Sequence, residues 1–227
     1  MWQNKWTKFQ SKNVQPVWHA NSAHTLLVRH LTDLVGPDTD FAKECKSILL
    51  PLCGKSVDMV YMQQLGCSVV GVDIVANAMT AFRAETSDKY KWVEPQAVKE
   101  GVRHAIVCES GDATLELFQG DFFKLEALSA LSGGFDYCLD RAGLAALPPT
   151  LHERYAERIE ELLKPGGRLL LIVYEFDEVG RWLGGCSVGG LVVRKSDRMR
   201  AFGWFVEAMI QSLCRLGCQA RQVLACV

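Results

Sequence analysis

Two residues nineteen positions apart carry the clearest chemistry in this chain: Gly54, in the loop Pro51-Leu52-Cys53-Gly54-Lys55-Ser56, and Asp73, which closes Ser68-Val69-Val70-Gly71-Val72-Asp73. A carboxylate about twenty residues after a glycine loop, at the tip of the next parallel strand, can accept both hydrogen bonds of a ribose diol. The pair therefore suits an adenosine-bearing cofactor lying across strand ends. A second acid, Asp121 in Gly120-Asp121-Phe122, ends another apolar strand. With its aromatic neighbour it can bond the adenine amino group and stack beside the ring, or it can be a solvated turn aspartate. Arg141, after the strand Phe135 to Leu139, adds a cation at a third strand end.

The elements that must position these residues follow from the hydrophobic pattern. Ile48-Leu49-Leu50 is a buried strand that stops at the Gly54 loop, where a side chain would obstruct the turn. Ser56 is placed to cap a helix on which Val57, Val60, Tyr61, Gln64 and Leu65 share an approximate face, ended by Gly66. Further helices are expected over Ser22 to Val35, Ala76 to Thr86 and Pro149 to Leu163, with strands over Arg103 to Val107, Leu115 to Gln119 and Leu169 to Tyr174. Proline and paired glycines in Leu162-Leu163-Lys164-Pro165-Gly166-Gly167 make an abrupt reversal before the last of these. Strands and helices alternating at these lengths predict an α/β, doubly wound, mostly parallel sheet of Rossmann-like type. Beyond Glu175, the glycines from Gly180 to Gly190 read as a mobile loop. Ser196 caps a broad apolar helix from Met199 to Leu216, and a last apolar segment spans Gln222 to Val227.

Length and composition narrow the class. At 227 residues the chain is long enough for one well-packed α/β domain and short for two. We read a single domain: an aromatic arm and helix over 1–45, a cofactor-binding core over 46–177 and a divergent part over 178–227. With 25 basic against 26 acidic residues there is no global attraction for nucleic acid or an anionic membrane. Nine cysteines are scattered with no CxxC pair, and several sit in apolar strands as small hydrophobes. Reduced thiols, the polar start Met1 to Gln10 and the lack of a long apolar run point to a cytoplasmic location. Oligomeric state is not legible; a monomer is compatible. Trp2, Trp6, Phe9 and Trp18 are too many large aromatics for a free tail, so the arm either packs on the sheet edge or lids a site.

The glycine loop also selects among cofactors. Dinucleotide sites carry G-x-G-x-x-G because a pyrophosphate needs close backbone approach, and this loop holds one glycine. S-adenosylmethionine has no phosphate, so a looser loop suffices. The loop, Asp73, Gly120-Asp121 and the Leu-Leu-Lys-Pro-Gly-Gly turn together favour S-adenosylmethionine over NAD.

Residues 1 to about 177 resemble the thiopurine S-methyltransferases and their thiol- or halide-methylating relatives. The resemblance rests on Trp2-Gln-Asn-Lys-Trp6, Trp18-His19 leading to His24, Pro51 to Met59, Ser68 to Asp73 and Phe135 to Arg141. It implies a seven-stranded-type methyltransferase sheet and S-adenosylmethionine as cofactor. Trp2, Trp6 and Trp18 would line the cofactor and acceptor pocket, and Leu52 and Gly54 would touch the methionine portion. Asp73, with Ile74 beside it, would hold the ribose, and Asp121 and Phe122 would flank adenine. Arg141 would lie beside the methionine moiety or the acceptor, as the catalytic candidate; an ion pair with Asp140 is its structural alternative. The acceptor implied is a small aromatic or heterocyclic thiol. Halide, selenium or tellurium species, or cofactor binding with weak or no activity, are the alternatives. Two departures stand out: Asn13 to Val17 alters the arm before Trp18, and the tail has residues for only one of the two antiparallel strands that usually complete the sheet edge.

Overall fold

The computed structural model describes residues 19–40, 44, 46–108, 112–176 and 182–194, from residue 173 onward as backbone alone. Trp2, Trp6 and Trp18, the helix expected after Ser196 and the apolar tail lie outside the described residues. In chain order the elements are α1 (Thr25–Arg29), α2 (Leu31–Val35), β1 (Ser47–Pro51), α3 (Asp58–Gln64), β2 (Ser68–Asp73), α4 (Ala76–Glu85), β3 (Gln96–Val98) and β4 (Gly101–Ala105). There follow β5 (Leu115–Gly120), α5 (Glu126–Ser129), β6 (Phe135–Arg141), α6 (Gly143–Ala146), α7 (His152–Leu162), β7 (Leu163–Phe176) and β8 (Trp182–Arg194).

The sheet has eight strands in the order β3-β4-β5-β2-β1-β6-β7-β8. Its central strands run parallel, β5 with β2, β2 with β1, β1 with β6 and β6 with β7. Both edges are antiparallel, β3 and β4 at one and β8 at the other. Strand alternation explains the two cores. Ile48 and Leu50 of β1 and Leu170 and Ile172 of β7 face α1 to α4 through Leu27, Leu34, Met59, Met62, Met79 and Phe82. Leu49, Leu169 and Leu171 face the other way, onto α5 to α7 through Leu128, Leu144, Tyr155, Ile159 and Leu162. A sheet buried on both faces is what continuous apolar strands require.

The chain order reverses at β1, with β2 on one side and β6 on the other. In open α/β sheets that reversal opens a crevice outside the carboxyl ends of the strands, the usual seat of a ligand. The ends of β1, β2, β5 and β6 bring Pro51, Asp73, Gly120 and Arg141 to that side.

Three expectations are corrected. The stretch read as a mobile glycine loop forms β8, paired antiparallel with β7 from Arg168↔Arg194 to Phe176↔Trp182. Glycine weakens a strand but does not bar it from a ladder whose partner is strongly apolar. Only this one antiparallel strand completes that edge among the described residues. The helix expected over Ser22 to Val35 is two short helices meeting at His30, whose backbone leaves helical geometry (φ −100°, ψ 14°) and whose ring bonds Asp33. The expected strand Arg103 to Val107 is the second arm of a hairpin; its turn carries Glu100 at φ 63°, and β3 ahead of it is only three residues long and largely exposed.

Close packing of α3 and the Gly54 loop over β2 depends on Gly71. A Cβ there would meet Met59 Sδ at 2.6 Å and Cys53 Sγ at 3.0 Å. Gly71→Val is expected to lower the unfolding free energy by about 1–3 kcal/mol through overpacking, read by denaturant unfolding.

Candidate active site

The loop between β1 and α3 reaches its shape through two left-handed residues, Leu52 at φ 49° and Gly54 at φ 55°. Its closure is made by Asp73 across the crevice. Asp73 Oδ2 accepts the Gly54 N–H at 2.8 Å and Oδ1 accepts the Val75 N–H at 2.8 Å. The carboxylate is 9% exposed. Burial raises its pKa above the ordinary aspartate value, against the opposing pull of the Val75, Gly54 and Ile74 N–H groups. Each oxygen can accept further hydrogen bonds, so the clasp leaves capacity for hydroxyl donors. Beside it Ile74 is 56% exposed, a large apolar side chain turned out at a strand tip.

Arg141 ends β6 over the same loop. Its Nε lies 2.9 Å from Asp58 Oδ2, an ion-pair distance without an aligned hydrogen bond, and its NH2 donates to Ser56 Oγ at 3.0 Å. The alternative pairing with Asp140 is not what forms. Asp140 points into the core, where Oδ1 accepts the Gly143 N–H at 2.6 Å and Oδ2 accepts the Leu144 N–H and the Tyr155 hydroxyl, both at 3.0 Å. Ala142 at φ 65° makes the turn that allows this.

Asp121 and Phe122 separate. Asp121 is partly exposed, with Oδ1 accepting the Phe123 N–H at 2.9 Å and Lys124 3.9 Å away. Phe122 is buried, 4% exposed, with its ring 5.4 Å from that of Tyr155 and 5.8 Å from that of Phe123. Packing accounts for an aromatic at this position.

The described end of the arm also meets the loop. His24 donates its backbone N–H to Asp58 Oδ1 at 2.7 Å, and His19 lies 4.0 Å from Glu85, which pairs with the buried Lys55 of the loop. Burial, then the nearby Lys55, lowers the pKa of His19; burial, then Arg141, lowers that of His24. Burial and Asp73 push the Cys53 thiol well up, which removes it as a nucleophile. The four cysteines whose side chains are described, Cys53, Cys67, Cys108 and Cys138, are free. No group of side chains suited to a metal occurs among the described residues, and no helix there is long and apolar enough to cross a membrane.

Sequence reasoning missed Asp58 as the residue that gathers Ser56, His24 and Arg141, and it left Lys55 and Glu85 unremarked. Apart from Ser56, two residues before Asp58, the partners lie far along the chain, so no local spacing signals these contacts.

A doubly wound sheet with a glycine loop clasped to a strand-tip acid is a Rossmann-like, cofactor-binding type of fold. Solved structures agree on that fold: the 1,6-didemethyltoxoflavin N1-methyltransferase of Burkholderia thailandensis, bound to 1,6-didemethyltoxoflavin and S-adenosylhomocysteine, superposes with TM-score 0.51 at 18% identity, over 85% of this chain and 65% of that one. The phosphoethanolamine N-methyltransferase 2 of Haemonchus contortus, in complex with S-adenosyl-L-methionine, gives 0.50 at 15% identity, over 92% of this chain and 41% of that one. Residues 1–181 match the family model for thiopurine S-methyltransferase, and the chain belongs to that family. Among its relatives, the thiopurine S-methyltransferase of Vibrio cholerae is 33% identical over 77% of this chain and 69% of its own length. That of Pseudomonas fluorescens is 33% identical over 78% and 71%.

The buried Asp140 sets a pH dependence of stability. Burial lifts its pKa from 3.8 to about 6. Between these values the folded chain binds more protons than the unfolded one, so this group's contribution favours folding below pH 4 and is lost as pH rises through 6. The difference is about 3 kcal/mol at 1.36 kcal/mol per pH unit. Wild type is therefore expected to lose stability relative to Asp140→Asn between pH 4 and 6, measured by urea unfolding across that range.

Proposed function

We propose that the chain transfers a methyl group from S-adenosylmethionine to the sulfur of a small aromatic or heterocyclic thiol. The observation that carries this reading is the clasp of Asp73 on Gly54 within a family match spanning residues 1–181. The site suits the cofactor on its own chemistry. A buried carboxylate with acceptor capacity faces the crevice, and the exposed Ile74 beside it offers apolar surface to a planar base.

When bound, S-adenosylmethionine supplies a sulfonium methyl that is electrophilic without further activation. Asp73 would take the ribose hydroxyls, Ile74 would lie against adenine and Asp121 would accept its amino group. Leu52 and Gly54 would line the methionine portion; Trp2, Trp6 and Trp18, which the resemblance implies as pocket-lining, lie outside the described residues. Arg141 places a positive charge beside the acceptor, which lowers the pKa of a thiol and holds the thiolate. An ionised sulfur needs only in-line placement, so positioning replaces a general base. The lowered pKa values of His19 and His24 keep those imidazoles from adding a competing positive charge at neutral pH.

Two measurements test this reading. Asp73→Ala is expected to weaken S-adenosylmethionine binding about 10- to 100-fold by calorimetry, the loss of charge-assisted hydrogen bonds. With labelled cofactor and a panel of thiophenol, 6-mercaptopurine, iodide and selenite, the aromatic thiols are expected to be methylated fastest. Arg141→Met is expected to lower their turnover about 10- to 100-fold. Methylation of iodide or selenite alone would move the chain to its halide- or selenium-methylating relatives, and binding without transfer would contradict an enzymatic role.

A further inference from the structure

We infer that Asp58 is a positioning residue for the transfer: it acts through Arg141, holding the guanidinium in one orientation and tying the end of the N-terminal arm to the same point. The inference rests on the methyl-transfer reading of the strand-tip site.

Asp58 opens α3, where an acidic residue is usually explained by the helix dipole and stays exposed. Here it is 1% exposed, and its carboxylate is spent on donors outside its own helix. Oδ1 takes the His24 N–H at 2.7 Å, while Oδ2 takes the Ser56 hydroxyl at 2.8 Å and lies 2.9 Å from Arg141 Nε. These partners, two hydrogen-bond donors and one ion-paired guanidinium, come from three separate segments: the turn into α1, the Gly54 loop and the tip of β6.

The arrangement is closed. Ser56 gives its one proton to Asp58 and accepts from Arg141 NH2 at 3.0 Å, so the hydroxyl and the carboxylate grip adjacent faces of one guanidinium. A buried carboxylate is tolerated only when paired and hydrogen-bonded, so the arginine cannot swing away without stranding it. An arginine side chain at a strand tip would otherwise sample many rotamers; this grip selects one. Because the His24 N–H shares the carboxylate, the seat of the segment that follows Trp18 and the aim of Arg141 are set together.

A merely structural Asp58 predicts a different behaviour from a positioning one, and a double-mutant cycle on the full chain separates them. Wild type, Asp58→Asn, Arg141→Met and the double variant are compared by thermal midpoint, by S-adenosylmethionine affinity in calorimetry, and by kcat and KM for thiophenol. Asp58→Asn keeps the shape but replaces the charge with an amide that presents N–H groups of its own. It is expected to lower kcat/KM for thiophenol about 10-fold while S-adenosylmethionine affinity changes less than about 3-fold, and to cost less than about 2-fold once Arg141 is already Met. An equal fractional loss in both backgrounds, or a lowered midpoint with unchanged turnover, overturns the inference. Should Asp58→Asn not fold, Ser56→Ala enters the same cycle, since it removes only the hydroxyl that bridges the two charges. Its turnover loss must vanish in the Arg141→Met background, and persistence there overturns the inference. Wild type that binds no S-adenosylmethionine, or methylates no member of the panel, sinks the methyl-transfer reading and this inference with it; a failed cycle in an active enzyme sinks this inference alone.

Discussion

The hydrogen bond from the Gly54 N–H to Asp73 is the constraint on which the site depends. It joins the end of β1 to the end of β2 across a loop that must take two left-handed residues to arrive there. Leu52 at φ 49° carries a side chain in that region, which costs on the order of 1 kcal/mol and persists only where the surroundings over-determine it. The surroundings here are the clasp on Asp73, the Cys53 N–H bonded to Val72, and α3 packed closely over Gly71. A buried carboxylate in turn needs donors, and the loop supplies one through Gly54 while Val75 beyond β2 supplies the other. Loop shape and carboxylate burial therefore stabilise each other, and what they leave facing the crevice is an acid with acceptor capacity beside an exposed Ile74.

A second buried acid does for Arg141 what Asp73 does for the loop. Asp58 and Asp140 flank β6's tip in three dimensions with opposite assignments. Asp140 is consumed inside by the α6 turn and Tyr155, and Asp58 faces Arg141. Had Asp140 taken the arginine, the turn at Ala142 would have lost the acceptor for two N–H groups. The division leaves Arg141 over the Gly54 loop and gives the Ala142 turn and Tyr155 their acceptor.

Much of this was legible in the sequence where buried strands end on chemistry. Ile48 to Leu50, Ser68 to Asp73 and Phe135 to Leu139 read as strands because both faces of a parallel sheet are buried. The glycine loop and Asp73 read as neighbours because spacing sets their juxtaposition, and the Gly54–Asp73 hydrogen bond joins them. What failed did so for identifiable reasons. Gln96 to Val98 is only three residues long and largely exposed, with no periodic signal. The 182–194 strand was hidden by glycines, whose pairing is decided by β7. Arg141 reads as a site residue with an Asp140 ion pair as its structural alternative, and nothing local reveals its actual partners, Ser56, 85 residues away, and Asp58. Phe122 shows the converse: a motif position that invites a ligand role is occupied by a ring the core already uses.

The clasp also explains why one glycine suffices. A pyrophosphate would need several unobstructed backbone N–H groups, whereas here the Gly54 N–H is already committed to Asp73. The most direct test of this account is a crystal structure of the full chain with S-adenosylhomocysteine. The account places the ribose hydroxyls within about 3 Å of the Asp73 carboxylate, with adenine against Ile74 and the Gly54 bond retained. A ligand seated away from Asp73, or a loop that releases Gly54 to bind it, would contradict it.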